Sequence, residues 1–357
     1  MNSMKILFAG GGSLGPVTPL LAVAEVLRFT DPSTQFVWAG TPNGPERSLV
    51  EAEGIPFFSV SVARIPRYPT WEWIAFPWNI LYAWSTAFSI LRRERPNIIG
   101  CAGGFTGVPF VILGKWMGIP SWLHQPDVKP VMTNRACAPF AKLITVAWPE
   151  TVTSFPVQKT VVLGQPVRAS MLSGNAQRIK KQFGFDQAKP TLLILGGGGG
   201  SVWINQAFEA EIDRVRAVAN VIHLVGRGKL TAALQNAGAG YAAVELLGRD
   251  LADALAAAEV VVTRAGMGAL AELAALEKPC VLVPLPNSPQ TLNAKTVEAH
   301  EAALVVTQMQ GTSTLVETVI DLLQDKQKQR LLSLRIGALL APDAATQVAQ
   351  RIQKLIL

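Results

Sequence analysis

Cysteine and histidine are both scarce in this 357-residue chain, which has three of each. Cys101, Cys137 and Cys280 sit singly in apolar surroundings, with neither metal nor disulfide spacing. That excludes a disulfide framework and a zinc module, and makes a reducing compartment the default. His124, His223 and His300 form no metal-ligand pattern, and no Asp-x-Asp metal-binding pair stands near an expected strand end, so neither a metal nor a cofactor is expected. Charge is low as well: 16% of residues are charged against 49% hydrophobic, with mean hydropathy +0.29. The remaining charge is positive on balance, +7 with a pI of about 9.5, which points to an anionic partner such as phosphate groups, nucleic acid or an acidic membrane surface. Basic runs interleaved with aromatics are missing, and this sets nucleic acid aside. A signal peptide is not expected either, because the apolar run Met4–Ala9 is too short for one and meets glycines at once.

One uncharged run is long. Trp73–Leu91 has bilayer-spanning length, but Pro77, Asn79 and its Ser and Thr residues lower its hydropathy. Trp71–Trp78 is expected as an exposed apolar loop and Asn79–Arg92 as a helix. Trp71, Trp73, Ile74, Phe76 and Trp78, flanked by Arg64, Arg67, Arg92 and Arg93, form a candidate surface for anionic lipid. The competing reading is core packing or a dimer contact.

The remaining pattern is apolar strand, glycine turn, helix, several times over. Lys5–Ala9 leads into Gly10-Gly11-Gly12-Ser13-Leu14-Gly15 and a helix over Leu20–Arg28. Asn97–Cys101 leads into Gly103-Gly104-Phe105-Thr106-Gly107 and a helix over Val108–Met117. Thr191–Leu195 leads into Gly196–Gly200 and a helix over Val202–Arg214. Val260–Thr263 leads into Arg264-Ala265-Gly266-Met267-Gly268 and a helix over Ala269–Leu276. Further strands are expected at Phe36–Ala39, Ile55–Val62, Ser121–Leu123, Leu143–Ala147, Thr160–Leu163, Val221–Val225, Val244–Leu247 and Val281–Pro284. Such alternation predicts an α/β fold of two similar halves, each on a parallel sheet, with a linker near Gly164–Arg168. A glycine turn entering a helix leaves unpaired N–H groups at the positive end of the helix dipole, where a phosphate or diphosphate binds. The plain alternative is an ordinary βαβ unit.

Several side chains acquire roles on this scheme. Glu272, about one turn into its helix, is placed to accept from a ribose diol, and Gln290 and Asn293, three apart, to meet sugar or phosphate oxygens. For that pair the alternative is a polar helix start. Arg168 is a planar cation suited to phosphate, or else part of a linker salt bridge. His124, just after a strand, ranks with Asp127 as a candidate base, or is a satisfied loop histidine. His223, in the apolar VIHLV, reads as core or pocket wall, and His300 as structural.

The chain resembles the MurG-type peptidoglycan glycosyltransferases of glycosyltransferase family 28 over nearly its whole length. The order and spacing of AGGGSLGPVTPLLAVAEVL, GGFTGVP (103–109), MGIPSWLHQPD, MTNRACA, GQPVR (164–168), LGGGGGSVWINQ (195–206), RAGMGALAE (264–272) and QTLNA (290–294) carry the resemblance. It implies a GT-B fold, two Rossmann-like domains facing a central cleft, and metal-independent inverting transfer. N-acetylglucosamine would pass from UDP-N-acetylglucosamine to the undecaprenyl-diphosphate-linked muramyl-pentapeptide lipid I, giving lipid II. Residues 1–164 would bind acceptor and membrane, 165–342 the UDP-sugar, and a helix at about 343–357 would pack back on the first domain. The implied donor contacts are Ser13, Leu14, Gly15, Asp127, Arg168, Gly198, Gly248, Met267, Gly268, Ala269, Leu270, Ala271, Glu272, Gln290 and Asn293. For the acceptor diphosphate they are Gly12, Ser13, Gly15, Gly104, Thr106 and Asn134. The implied location is peripheral, on the cytoplasmic face of the plasma membrane, with other cell-wall enzymes as possible partners. Four positions depart from the family pattern. Pro16 stands where the family has a histidine, in a loop one residue longer. His124-Gln125-Pro126-Asp127 replaces a His-Glu segment, Gly198 a serine and Gln165 an asparagine. Another lipid-linked acceptor, a UDP-N-acetylglucosamine epimerase and a UDP-sugar binder without activity therefore stay open.

Overall fold

A computed structural model describes residues 4–62 and 72–356, with side chains from residue 78 onward in the second stretch. The chain divides into two compact units, residues 1–168 with 343–357, and 169–342.

The first unit is built on a parallel sheet of β1 (Lys5–Ala9), β2 (Gln35–Gly40), β3 (Phe57–Ser59), β4 (Ile98–Cys101), β5 (Ser121–Gln125), β6 (Leu143–Val146) and β7 (Thr160–Val162). Its order is β3-β2-β1-β4-β5-β6-β7. The central strands are buried along their whole length, as strands with helices on both faces must be. Helices α1 (Thr18–Thr30), α2 (Glu46–Ala52), α3 (Glu72–Glu94), α4 (Gly107–Trp116) and α5 (Met132–Cys137) connect them. The terminal helix Ala344–Ile356 returns to this unit and packs on α1. Val348, Ala349 and Ile352 on one of its faces join the core of Ile6, Phe8, Leu20 and Trp38.

The second unit repeats the plan with β8 (Thr191–Leu195), β9 (Asn220–Leu224), β10 (Tyr241–Val244), β11 (Val260–Thr263), β12 (Cys280–Leu282) and β13 (Leu304–Val305). Here the order is β10-β9-β8-β11-β12-β13. In each sheet the chain winds outward from one central strand and then returns to that strand's other side. The two reversals fall between β1 and β4 and between β8 and β11. Loops leaving adjacent strands in opposite directions open a crevice at the carboxyl edge, the usual ligand position in such sheets. All four glycine turns stand at these reversals.

Four local expectations are corrected. Residues 72–78 are the first turns of α3, not a loop, and the helix continues through Pro77. The strand expected at Val244–Leu247 lies at Tyr241–Val244, because Tyr241 Oη hydrogen-bonds His223 Nδ1 at 2.8 Å on the neighbouring strand. The helix expected over Val202–Arg214 is broken into Val202–Glu209 and Ile212–Val218. His124 lies within β5 rather than after it.

Candidate active site

The first crevice is lined by residues 10–15 after β1 and 103–107 after β4. Trp38 Nε1 donates to Gly10 O at 2.8 Å and Gly10 N to Ala39 O at 3.1 Å, tying the first loop to β2. Its far side is held by Glu46, which the sequence reading passed over. Glu46 is fully buried, and its Oε2 accepts from Gly12 N at 3.1 Å. The Gly12 N–H is therefore spent within the fold, so Gly12 is removed as an N–H donor to a diphosphate; Ser13 and Gly15 remain exposed. Leu14 uses its carbonyl to receive Val17 N and Thr18 N at the head of α1.

The second loop is different in kind. Gly103 and Gly104 have φ of +105° and +89°. A Cβ on Gly104 would stand 3.2 Å from Gly11 O, so the two loops meet here and only glycine fits without displacement. Thr106 precedes the first turn of α4, and its buried Oγ1 has no protein partner. Asn134 is fully buried and donates from Nδ2 to His124 O at 2.9 Å and Gln125 Oε1 at 2.7 Å. Its Oδ1 lies beside Gly103 without a partner. A helix start with two uncommitted buried oxygens is a place for a polar ligand group. Asn134, from α5, is thus brought beside the turn that holds Gly104 and Thr106.

His124 is corrected as a candidate base. It is fully buried, Nε2 lies 2.7 Å from Gln165 Oε1, and Nδ1 lies 2.9 Å from Thr145 Oγ1. The amide oxygen only accepts, so Nε2 carries the hydrogen and the Thr145 hydroxyl donates to Nδ1. That hydroxyl in turn accepts from Trp122 Nε1 at 2.8 Å. Burial pushes the imidazole down to about 4, partly opposed by the Gln165 bond. Both nitrogens are occupied inside the fold, and what the side chain does is fasten Gln165 to the sheet. Asp127 lies just past the strand end and is partly exposed. Its backbone is set by Gln125 Nε2, which donates to Asp127 O at 2.8 Å.

In the second unit Ser201 caps the helix Val202–Glu209, accepting from Ile204 N. Lys229 Nζ donates to Gly199 O at 2.7 Å and Gly200 O at 3.2 Å, closing the glycine run that holds Gly198. A Cβ on Gly200 would lie 2.1 Å from Val225 O. Gly197 lies over the aliphatic stem of Arg264. Arg264 is a second residue without an assigned role in the sequence reading. Its Nη1 donates to Val283 O at 3.1 Å and Pro284 O at 3.3 Å, and its Nη2 to Ser201 Oγ at 2.6 Å. With its amide oxygen turned inward, Gln308 accepts from both nitrogens at 3.0 and 2.9 Å. One guanidinium thus joins three loop ends at the carboxyl edge, and burial lowers its proton affinity.

Gly266 caps the helix Met267–Ala275. The first intrahelical bond runs from Leu270 N to Gly266 O, so the donors of 267–269 precede it. Leu270 and Ala271 turn their side chains into the core, at 1% and 2% exposure. Met267 is also buried, so its side chain belongs to the packing, while Gly268 and Ala269 are partly open. Glu272 stands in the second turn and is partly exposed. Gln290 lies beside Gly266 and its Oε1 accepts from Leu285 N at 3.1 Å. Asn293 is fully buried and donates to Ala265 O at 3.1 Å, so it shapes the turn from behind. Gly248, with φ of +55°, opens the turn Gly248–Asp250 beyond the same edge of the sheet. Arg168 is half-buried, with no carboxylate at ion-pair distance among the described residues. His223 is a core residue, bonded to Tyr241 and to Asn205 Oδ1.

The two units match the N-terminal domain of glycosyltransferase family 28 over residues 6–146 and its C-terminal domain over 191–348. A protein of Geobacillus thermodenitrificans named UDP-N-acetylglucosamine–N-acetylmuramyl-(pentapeptide) pyrophosphoryl-undecaprenol N-acetylglucosamine transferase is 34% identical over 322 residues, 88% of this chain and 89% of that one. The chain belongs to glycosyltransferase family 28. A family member of the same name from Clostridium novyi is 34% identical over 334 residues, 92% and 93% of the two chains. Among solved structures, Acinetobacter baumannii MurG superposes with a TM-score of 0.72 at 24% identity, over 98% of this chain and 99% of that one. The calicheamicin glycosyltransferase CalG4 gives 0.71 at 16% identity, over 99% and 98%. These place the fold among the GT-B glycosyltransferases.

Proposed function

We propose that this family 28 glycosyltransferase moves N-acetylglucosamine, with inversion, from UDP-N-acetylglucosamine to undecaprenyl-diphosphate-linked muramyl-pentapeptide. The similarity to relatives bearing that activity in their names, across about nine-tenths of the chain, carries the proposal. The second unit takes the donor. Its diphosphate lies at the N-terminus of helix Met267–Ala275 and the Gly196–Gly200 loop, where N–H groups and the helix dipole offset the charge gathering on the leaving group. Arg168, the last residue of the first unit before the boundary, is a planar cation suited to a diphosphate. Glu272 accepts from the ribose hydroxyls and Gln290 meets the sugar. The first unit takes the acceptor diphosphate at Gly104, Thr106 and Ser13–Gly15, and Asp127 removes the proton of the attacking hydroxyl. Radiolabelled UDP-N-acetylglucosamine incubated with the lipid-linked muramyl-pentapeptide tests this reading. Label appearing in the lipid fraction supports it, and label that stays water-soluble rejects it.

Glu272→Ala should weaken UDP-sugar binding by ~1–3 kcal/mol, the range for a hydrogen bond with one charged partner. The fold should persist, because the residue sits in the second turn, partly exposed, and outside the core. Calorimetric donor affinity equal to wild type would take Glu272 out of the site.

A lipid-linked acceptor requires access to the bilayer, and no helix among the described residues is long and apolar enough to cross one. We assign membrane contact, at the cytoplasmic face, to α3 and α4. Trp78, Leu81, Tyr82 and Phe88 recur at helical spacing on the exposed side of α3, while Ala83, Ala87, Ile90 and Leu91 enter the core. Trp116 of α4, 71% exposed, adjoins them through Trp84, with ring centroids 6.1 Å apart. Arg92, Arg93 and Lys115 are exposed alongside. Arg64, Arg67 and Trp71, and the side chains of Trp73, Ile74 and Phe76, lie outside the described residues. The protein should bind vesicles containing phosphatidylglycerol at low salt and leave them as salt rises, since each basic residue contributes about 1 kcal/mol near anionic lipid. Trp78→Ser with Tyr82→Ser should reduce vesicle binding and leave UDP binding intact. Equal vesicle binding by that variant would return the face to another use.

A further inference from the structure

The first glycine loop takes its shape from a carboxylate that no ligand reaches. Glu46 Oε1 accepts from Thr41 N at 2.7 Å and Thr41 Oγ1 at 2.5 Å, and Oε2 accepts from Gly12 N at 3.1 Å. Glu46 is 0% exposed, and no cation stands at ion-pair distance among the described residues. A buried, unpaired carboxylate is costly unless hydrogen bonds replace its water. Here three donors do so, and the residue is the first of α2, where the helix dipole favours a negative group. The surrounding backbone is cut to fit it. A Cβ on Gly11 would stand 2.1 Å from Oε1, and one on Gly44 1.9 Å from Oε2. Gly11 is also the residue whose carbonyl meets Gly104 of the second loop, at 3.2 Å from that glycine's would-be Cβ. Glu46 therefore sets the height of the first loop at its contact with the second.

We propose that Glu46 is a positioning residue for the acceptor. It turns the Gly12 N–H inward, fixes Gly11 against Gly104, and so leaves Ser13–Gly15 and the 103–107 turn in one fixed arrangement for the acceptor's diphosphate. The inference rests on the reading that the first unit takes the acceptor. The donor groups at helix Met267–Ala275 and the Gly196–Gly200 loop belong to the other unit.

The test is steady-state transfer by the full-length enzyme, varying donor and lipid-linked acceptor separately. In Glu46→Gln the amide keeps one oxygen as acceptor, but its NH2 faces a donor that the carboxylate had satisfied. The KM for acceptor should rise about tenfold or more, the equivalent of one charge-assisted hydrogen bond. The KM for UDP-N-acetylglucosamine should stay within about twofold. Thr41→Val, which removes one of the three donors and keeps the charge, should show a smaller rise in acceptor KM of the same kind, and it serves alone if Glu46→Gln does not fold. Unchanged acceptor KM in the folded variants, or donor and acceptor KM moving together, overturns the proposal. A wild-type enzyme that transfers nothing to the lipid acceptor overturns the functional reading instead.

Discussion

Asp127→Asn should lower kcat by ~10²–10⁴ while UDP-sugar affinity stays near wild type. That range is the usual contribution of a positioned general base. Asparagine keeps the size of the side chain and one accepting oxygen but cannot take a proton, and unchanged UDP-sugar affinity then separates proton removal from binding. The geometry favours Asp127 over His124 on two counts. Asp127 lies beyond the end of β5, partly exposed, with its backbone held by Gln125. His124 lies inside the strand with both ring nitrogens occupied. Single-turnover measurements with saturating donor and acceptor separate the chemical step from product release. Turnover by Asp127→Asn within a few-fold of wild type would place the base elsewhere. His124→Gln should act through stability and the setting of Gln165, not through the proton.

The strands and glycine turns were legible because both signals are local. A β-branched run such as Val260–Thr263 and a glycine turn each announce themselves within about five residues. The positions of Gly104, Thr106 and Gly266 at sheet reversals then follow from the winding of a parallel sheet. Glu46 was not legible, since its meaning depends on Gly12, 34 residues earlier. His124 shows the same limit. In sequence it is a polar residue beside a strand, and only the partners 21 and 41 residues later turn it into a buried strut. Arg264 could be quoted as part of a motif, yet its three loop ends arrive from Ser201, Val283 and Gln308. The helical start of α3 was missed for a different reason. Pro77 and three tryptophans within eight residues carry a turn-like local signal, and packing of the later turns overrides it.

Lowering the pH from 7.5 to 5 should cost each compact unit about 2 kcal/mol of stability. Each unit holds one fully buried neutral histidine, His124 in the first and His223 in the second. Burial lowers His124 to about 4 and His223 to about 3, against 6.5 for the free side chain. Above pH 6.5 neither the folded nor the unfolded chain binds these protons, so the histidines leave stability unaffected. Below 6.5 the unfolded chain takes up protons that the folded chain refuses. Stability then falls at up to about 1.4 kcal/mol per pH unit for each histidine. The fall slows as pH passes 4 in the first unit and 3 in the second, where the folded imidazoles are protonated too. The window from 6.5 to 5 lies above the ordinary range of carboxylates, which separates this loss from general acid unfolding. Urea unfolding at pH 7.5, 6 and 5 measures it, with separate probes for the two units because their transitions need not coincide. Introducing His223→Asn should flatten the pH dependence of the second unit alone, whatever that variant does to stability at pH 7.5. A wild-type protein whose urea midpoints are the same at pH 7.5 and 5 would mean that water or a rearranged partner reaches these rings, and His124 would regain standing as a proton acceptor.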